Sequence, residues 1–263
     1  MKILGKGGCG VVFLCKNLKT DKEYALKQIC KRNKSESTLL DLKKEVEINF
    51  ELTSEKQNYL LKLIDFIEDS YDMWLVFDKG GNSLGNLLFK IKGEFYNNER
   101  IYFIKKGRFY QHLFYDKEIN FKNFLRKILE TINYMSSKHE IVHCDIKPDN
   151  ILFKYNSDLP LSSEIDFTEM KFIDLGSAFR ICDPNNFSSN TPEYMPPEIT
   201  ELIEKKYSSK EIYNFLKNFD KYPYAIDIWS LGVMILEILI SCPVWMSYKA
   251  RTIIKGKVRF FLF

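Results

Sequence analysis

The chain changes character once, at a glycine pair, and that change limits the folds open to it more than any other feature. Up to Asp78 it reads as short strand-like runs: "KIL", "VVFLCKN" and "EYALKQIC", broken by glycines and a "KTD" turn, then "YLLKLIDFIE" and "MWLVFD". Runs rich in β-branched and aromatic residues, bounded by such breakers, mark antiparallel strands. Between them, "LLDLKKEVEINFEL" places apolar residues at 39, 42, 46 and 52 with lysines and glutamates interspersed, which is near helical spacing. After "KGGNS" the pattern turns helical, in the amphipathic "NSLGNLLFKI" and "NFKNFLRKILETINYMSSK" and the strongly apolar "DIWSLGVMILEILI"; "IVHC", "ILFKY" and "KFID" are short strand pieces. Segment 93–118 is aromatic and basic without a clear period and reads as a loop. The expectation is an α+β chain in two lobes: a five-stranded antiparallel lobe with one helix over 1–78, a hinge at 79–81, and a larger, mainly helical lobe from 82 to 263.

With 263 residues, 45% of them hydrophobic, the chain can bury a substantial core. The net charge of +4 is spread through the sequence, so no block resembles a nucleic-acid arm or a membrane-binding tail. Six cysteines form no CxxC pair and no zinc-ligand spacing, which argues for reduced thiols in an intracellular, cytoplasmic protein. Glycines interrupt the N-terminus before a signal-peptide core could form. The longest apolar stretch carries Glu237 and is shorter than a bilayer span, so a buried core helix is expected rather than membrane insertion.

The polar motifs carry the chemistry. Gly5, Gly7 and Gly10 form GxGxxG ahead of Val12. Dinucleotide-binding folds use the same letters to open a helix; here strand leads into strand, which favours a flexible hairpin lying over phosphates. Lys27 is the one cation in the apolar strand "YALK", and Glu45 on the candidate helix could pair with it and hold it towards an anionic phosphate. In "HCDIKPDN", Asp145 would accept or orient the proton of an attacking hydroxyl, Lys147 would neutralise charge on a transferred phosphoryl group, and Asn150 would offer an oxygen to a divalent cation. "FIDLGSA" supplies a second metal-binding carboxylate, Asp174, next to a glycine two residues on that permits a sharp turn.

In this order, over nearly the whole chain, the motifs resemble those of eukaryotic-type protein kinases. "GKGGCGVV" is similar to the family's Gly-rich loop, "YALK" to its VAIK strand, "HCDIKPDN" to its HRDxKxxN loop and "DLG" to its DFG. "TPEYMPPE" resembles the segment ending in APE, and "DIWSLG" the large-lobe helix. The resemblance implies ATP and Mg2+ as cofactors and a protein hydroxyl as acceptor. It makes Lys27 and Glu45 an ion pair, with Phe77 as gatekeeper and Asp78 to Gly80 as the hinge that binds adenine through its backbone. Val12, Ala25 and Leu152 would sandwich the purine, with Leu4 ahead of the glycines, and Asp227 would brace the catalytic loop. The lysine of "DIKPDN" and the downstream "TPEY" resemble serine/threonine kinases, in which Thr191 would line the acceptor site.

The departures carry expectations of their own. Cys144 stands where many such kinases carry an arginine that clamps a phosphorylated activation loop, so activity should not require phosphate on the 174–198 loop, at Ser188, Ser189 or Thr191. Cys9, at the tip of the Gly-rich loop, is a candidate for covalent labelling. Asn49 falls where an apolar residue is usual and would loosen its helix unless hydrogen-bonded. Only 36 residues follow Asp227, so relative to the family the second lobe reads as incomplete at its end, with a possible partner covering it. The glutamate of the APE-like segment, Glu198, would then lack its usual arginine; Arg251 and Arg259 are possible stand-ins, although too close to Asp227. Residues 154–170 and 200–224 read as surface insertions. Two other readings compete with an active enzyme: a kinase-fold pseudoenzyme or scaffold, and a small-molecule kinase. The joint presence of Lys27, Glu45, Asp145, Lys147, Asn150 and Asp174 argues against the first, and the "TPEYMPPE" and "DIWSLG" elements against the second.

Overall fold

The computed structural model describes residues 2–7, 10–32, 34–96, 99–115, 118–182, 191–205, 207–208, 211–212, 214, 224–246 and 258–262. Strands β1 (Lys2–Gly7), β2 (Gly10–Lys16), β3 (Glu23–Cys30), β4 (Leu63–Glu68) and β5 (Asp72–Asp78) form one antiparallel sheet, in the order β1-β2-β3-β5-β4. Helix α1 (Glu36–Ser54) connects β3 to β4. The Ser35 hydroxyl fixes its start by accepting the Thr38 N–H at 3.2 Å. Leu39, Leu42 and Val46 of α1 pack on Ile29, Leu63, Met73 and Leu75 of the sheet. The expected five strands and one helix are therefore present. Asn49 does not loosen the helix: its amide donates to the Glu45 carbonyl at 2.8 Å, and Thr53 Oγ1 donates to the Asn49 carbonyl at 2.7 Å.

The crossing to the second lobe needs glycine. A Cβ on Gly81 would stand 2.0 Å from the Phe153 carbonyl oxygen, so only a bare Cα lets the chain press against the next layer. There β6 (Asn82–Ser83) leads to α2 (Leu84–Leu88), a helix shorter than the amphipathic pattern predicts. Its continuation is β7 (Phe89–Tyr96), which pairs with β8 (Glu99–Lys106) in an antiparallel hairpin followed by α3 (Arg108–Tyr115). The described residues of the loop expected over 93–118 are thus the end of β7, β8 and α3. Tyr102 and Ile104 of β8 are buried, and Tyr102 meets Trp245 edge-on at 6.2 Å. That inward-facing pair is what gives an otherwise basic segment a reason to fold.

Helix α4 (Ile119–Asn133) follows, then β9 (Ile141–Val142), β10 (Ile151–Phe153), β11 (Met170–Phe172) and β12 (Phe179–Arg180), and helices α5 (Pro197–Glu204) and α6 (Ala225–Ile240). Strand β13 (Val258–Leu262) lies parallel to β8. The main core joins Phe124, Ile128 and Ile132 of α4 to Leu231, Met234 and Ile238 of α6, around a knot of rings in which Phe109 contacts Phe124, Phe153 and Phe167. Residues 154–170 are not only a surface insertion, since Ile165 and Phe167 are anchored in this core, and the Asn120 side chain accepts the Ile165 N–H at 2.8 Å.

Helix α6 is buried on one side only. Ile228, Trp229, Leu236, Leu239 and Ile240 are between 45% and 58% exposed, so the core helix expected there carries an apolar side that the described residues leave uncovered. No described helix is long and apolar enough to cross a membrane. Glu198 is exposed, so it needs no buried arginine. Cys9, Ser188, Ser189, Arg251 and the Arg259 side chain lie outside the described residues.

Candidate functional site

A cavity of about 250 Å³ opens between the sheet and the second lobe. Val12 from β2, Ala25 from β3, Phe77 from β5 and Leu152 from β10 give it apolar walls, while Gly10 stands at its mouth and Lys27, Glu45 and Asp174 form its polar end. Leu61 and Ile173 complete the lining. Neither was singled out from sequence: Leu61 sits in an undistinguished strand-like run, whereas Ile173 could have been found from its place beside Asp174. A Cβ on Gly10 would come within 2.1 Å of the Gln28 carbonyl, so the hairpin can approach β3 only with glycine there.

Several residues expected at the nucleotide do not line this cavity. Leu4 is the extra residue of a bulge between Ile3 and Gly5 and is half-exposed, so β1 turns it away. Gly5 lies on the same strand, outside the lining. The Asp78 carboxylate pairs with Lys22 at 2.8 Å and, with Gly80, borders a larger polar groove behind the crossing; the adenine contact expected of the hinge is a backbone one and does not turn on that pair. That groove is lined by ion pairs that satisfy one another, Lys79 with Glu23 and Lys154 with Glu169 among them.

At the polar end, Lys27 Nζ lies 2.8 Å from Glu45 Oε1 and 3.3 Å from Asp174 Oδ1. One ammonium therefore bridges helix α1 and the loop after β11. Burial pushes the Asp174 carboxyl up, but the charge and hydrogen bond of Lys27, helped by His143 and Lys147, outweigh it and hold the group below the usual carboxylate range. Asp174 takes up a left-handed backbone, φ 63°, and presents its side chain to the cleft.

The loop after β9 carries the second set of groups. Asp145 is buried with its carboxylate fully engaged: Lys147 Nζ donates to Oδ2 at 2.7 Å, Asn150 Nδ2 to the same oxygen at 2.8 Å, and the Thr191 hydroxyl to Oδ1 at 2.7 Å. Lys147 Nζ also stands 2.5 Å from Thr191 Oγ1. This loop is held from beneath. Asp227, at the start of α6, accepts the His143 N–H at 2.9 Å and the Cys144 N–H at 2.8 Å. Cys144 needs that restraint, because it sits in left-handed backbone at φ 64°, where a residue with a Cβ is strained. Its side chain is packed among Val142, Phe179, Met195, Ile199 and Ile226.

A further pocket of about 250 Å³ is bounded by Pro148, Asp149, Tyr194, Glu237, Phe89 and Trp245. Tyr194 donates to Glu237 Oε1 at 2.7 Å and the Val244 N–H donates to the same oxygen at 2.7 Å, which leaves Oε2 buried without a hydrogen-bond partner among the described residues. Burial accordingly pushes the Glu237 carboxyl up to about 7, against the pull of those two donors. Burial likewise raises Asp149, with Lys147 opposing and Asp145 adding to the rise. In the sequence Glu237 stood out only as a charge that spoils an apolar run.

A sheet roofing a lysine–glutamate pair, a carboxylate at the mouth of the same cleft, and an aspartate–lysine pair clasping a hydroxyl define the class of two-lobed kinase folds. The chain belongs to the protein kinase domain family, whose model matches residues 1–261. It is 30% identical to the MAP kinase-interacting serine/threonine-protein kinase 2 of Xenopus laevis over 258 residues, covering 94% of this chain and 45% of that protein. Similarity extends to the calcium-dependent protein kinase 4 of Plasmodium berghei, 30% identical over 92% of this chain and 37% of the relative, and to an Aurora kinase of Debaryomyces hansenii, 28% identical over 92% and 47%. The chain thus spans less than half the length of these relatives.

Proposed function

We propose that the chain transfers the γ-phosphoryl group of ATP to a serine or threonine hydroxyl of a protein. The observation that carries this reading is the Thr191 hydroxyl, seated between Asp145 Oδ1 at 2.7 Å and Lys147 Nζ at 2.5 Å. An incoming hydroxyl needs that environment: a carboxylate to orient it and take its proton as the new O–P bond forms, and an ammonium to offset charge on the phosphoryl group while the bond to the ADP oxygen breaks.

The remaining groups suit the donor. Val12, Ala25, Phe77 and Leu152 offer apolar surfaces to a purine, and Lys27, steadied by Glu45, offers a cation to its phosphates. Asn150 spends its NH2 on Asp145, and none of the described residues hydrogen-bonds its amide oxygen; Asp174 keeps one carboxylate oxygen clear of Lys27. These hard oxygen donors fit Mg2+, and Asn150 and Asp174 would hold it. When bound, the metal supplies neutralisation of phosphate charge. Cys15, Cys30, Cys144, Cys182 and Cys242 form no disulfide among the described residues, which supports a reducing, cytoplasmic setting.

The test is Mg-dependent transfer of labelled phosphate from ATP to a generic basic protein by the full 263-residue chain, with Asp145→Asn in parallel. Transfer by the parent and at least a hundredfold less by the variant is expected. Equal transfer by both would point to a contaminating enzyme and overturn the reading.

A further inference from the structure

Two stretches of chain run side by side and are tied at both ends. On helix α1, Glu51 follows Glu45 by six residues, about 9 Å along the axis. On the other stretch, Arg180 of β12 follows Asp174 by the same number. At one end Lys27 joins Glu45 to Asp174, at 2.8 and 3.3 Å. At the other, the guanidinium of Arg180 forks onto both carboxylate oxygens of Glu51, with NH1 3.3 Å from Oε1 and NH2 bonded to Oε2. Between the ties the stretches touch: Leu175 is buried, and a Cβ on Gly176 would stand 3.3 Å from Glu45 Oε2.

Both ends of the second tie are themselves anchored. β12 pairs with β9, Arg180 opposite Ile141, and the Ile181 N–H donates to the Glu140 carbonyl at 3.0 Å. Glu51 also meets His139 Nδ1 at 3.1 Å, at the end of the α4 region. Arg180 is therefore fixed to the second lobe, and its hold on Glu51 holds the end of α1. The Arg180 charge and hydrogen bond keep the Glu51 carboxyl below its usual range, so the carboxylate is ionised at neutral pH. The packing of Cys144 into apolar side chains leaves this link without an arginine neighbour on the catalytic loop.

We propose that Glu51 and Arg180 are positioning residues, and that their fork fastens helix α1 to the segment after Asp174 and so sets Glu45 against Lys27. This rests on the phosphoryl-transfer reading only for its kinetic consequence. The structural part is read without turnover.

The test uses the full chain with Glu51→Arg, Arg180→Glu and the two combined, and Glu51→Gln in case the reversals fold poorly. Amide hydrogen exchange over residues 45–54 is the first readout. Either reversal should speed exchange there at least tenfold while leaving α4 unchanged, and the combined swap should restore protection to within threefold. The second readout is transfer kinetics. The single variants should lose tenfold or more in kcat with a smaller change in KM for ATP, and the swap should recover most of it. Unchanged exchange in the single variants, or a swap that behaves as the sum of its two lesions, would overturn the proposal. A parent chain that shows no transfer but displays the exchange pattern with its rescue would support the fork while removing the function proposed above.

Discussion

The restraint beneath the catalytic loop can be broken by removing one carboxylate. Asp227→Ala would strip acceptors from the His143 and Cys144 N–H groups, which donate to it at 2.9 and 2.8 Å in a fully buried site. Hydrogen bonds to a charged acceptor contribute about 1.5–3 kcal/mol each, and a donor left buried and unpaired costs a similar amount. The left-handed backbone of Cys144 adds about 1 kcal/mol that its neighbours must then hold unaided. Part of this is offset because burying the carboxylate was itself costly. The expected net loss is about 3–5 kcal/mol, read from the urea midpoint and slope of the full chain by circular dichroism. Asp227→Asn should fall between, because one amide oxygen can serve one of the two donors while its NH2 faces the other. Transfer activity in Asp227→Asn should drop well beyond what the unfolded fraction explains, since Asp145 rides on the backbone that Asp227 holds. A loss below about 1 kcal/mol in Asp227→Ala would refute the idea that this carboxylate, rather than general packing, fixes the loop.

Asp145→Asn should leave thermal stability within about 1 kcal/mol of the parent, since an amide can still accept from Lys147 or Thr191, while kcat falls by about 10²–10⁴; intact turnover would remove Asp145 from its role. Changing Ser188 and Ser189 together to alanine should leave transfer within twofold, because Cys144 is packed among apolar side chains and offers no cation to a phosphate; abolished transfer in a folded variant would contradict it. Glu237 gives a pH dependence whose sign is fixed by its raised pKa. Moving a buried carboxyl from 4.5 to about 7 means that the folded chain binds one more proton than the unfolded chain across that window. Its contribution is fully present below about 4.5 and is lost as pH rises through 7, on the order of 3 kcal/mol in all. Glu237→Gln should flatten that slope in urea titrations between pH 5 and 7.5; an unchanged slope would place the titration elsewhere.

How far the sequence could be read depended on whether the cause was local. The five-stranded sheet and α1 were legible because each strand run ends at its own glycine or turn residues, and the helix carries its own period. Lys27, Asp145, Asn150 and Asp174 could be named because phosphate chemistry restricts residue types at short spacing; in the structure Lys27 and Asp174 meet at the polar end of the cavity, and Asp145 and Asn150 are hydrogen-bonded to each other on the loop after β9. The β7–β8 hairpin was not legible. Its inward residues Tyr102 and Ile104 are buried in a core that includes residues far away in the chain, and Tyr102 meets Trp245, more than a hundred residues further on. "NSLGNLLFKI" carries a helical pattern, but Gly107 turns the chain back so closely that a Cβ there would lie 2.0 Å from the Leu87 carbonyl, which confines the helix to α2. The bulge that exposes Leu4 and the partnerless oxygen of Glu237 are likewise matters of register and distant packing.

The seat of Cys144 has a consequence for control. A segment fastened by Val142, Phe179, Met195 and Ile199 closing round a thiol has no phosphoryl ester at that point for a phosphatase to remove. For a chain built this way, the loop that carries Asp145 keeps its shape through burial and the Asp227 carboxylate, so that shape is inherited with the fold itself.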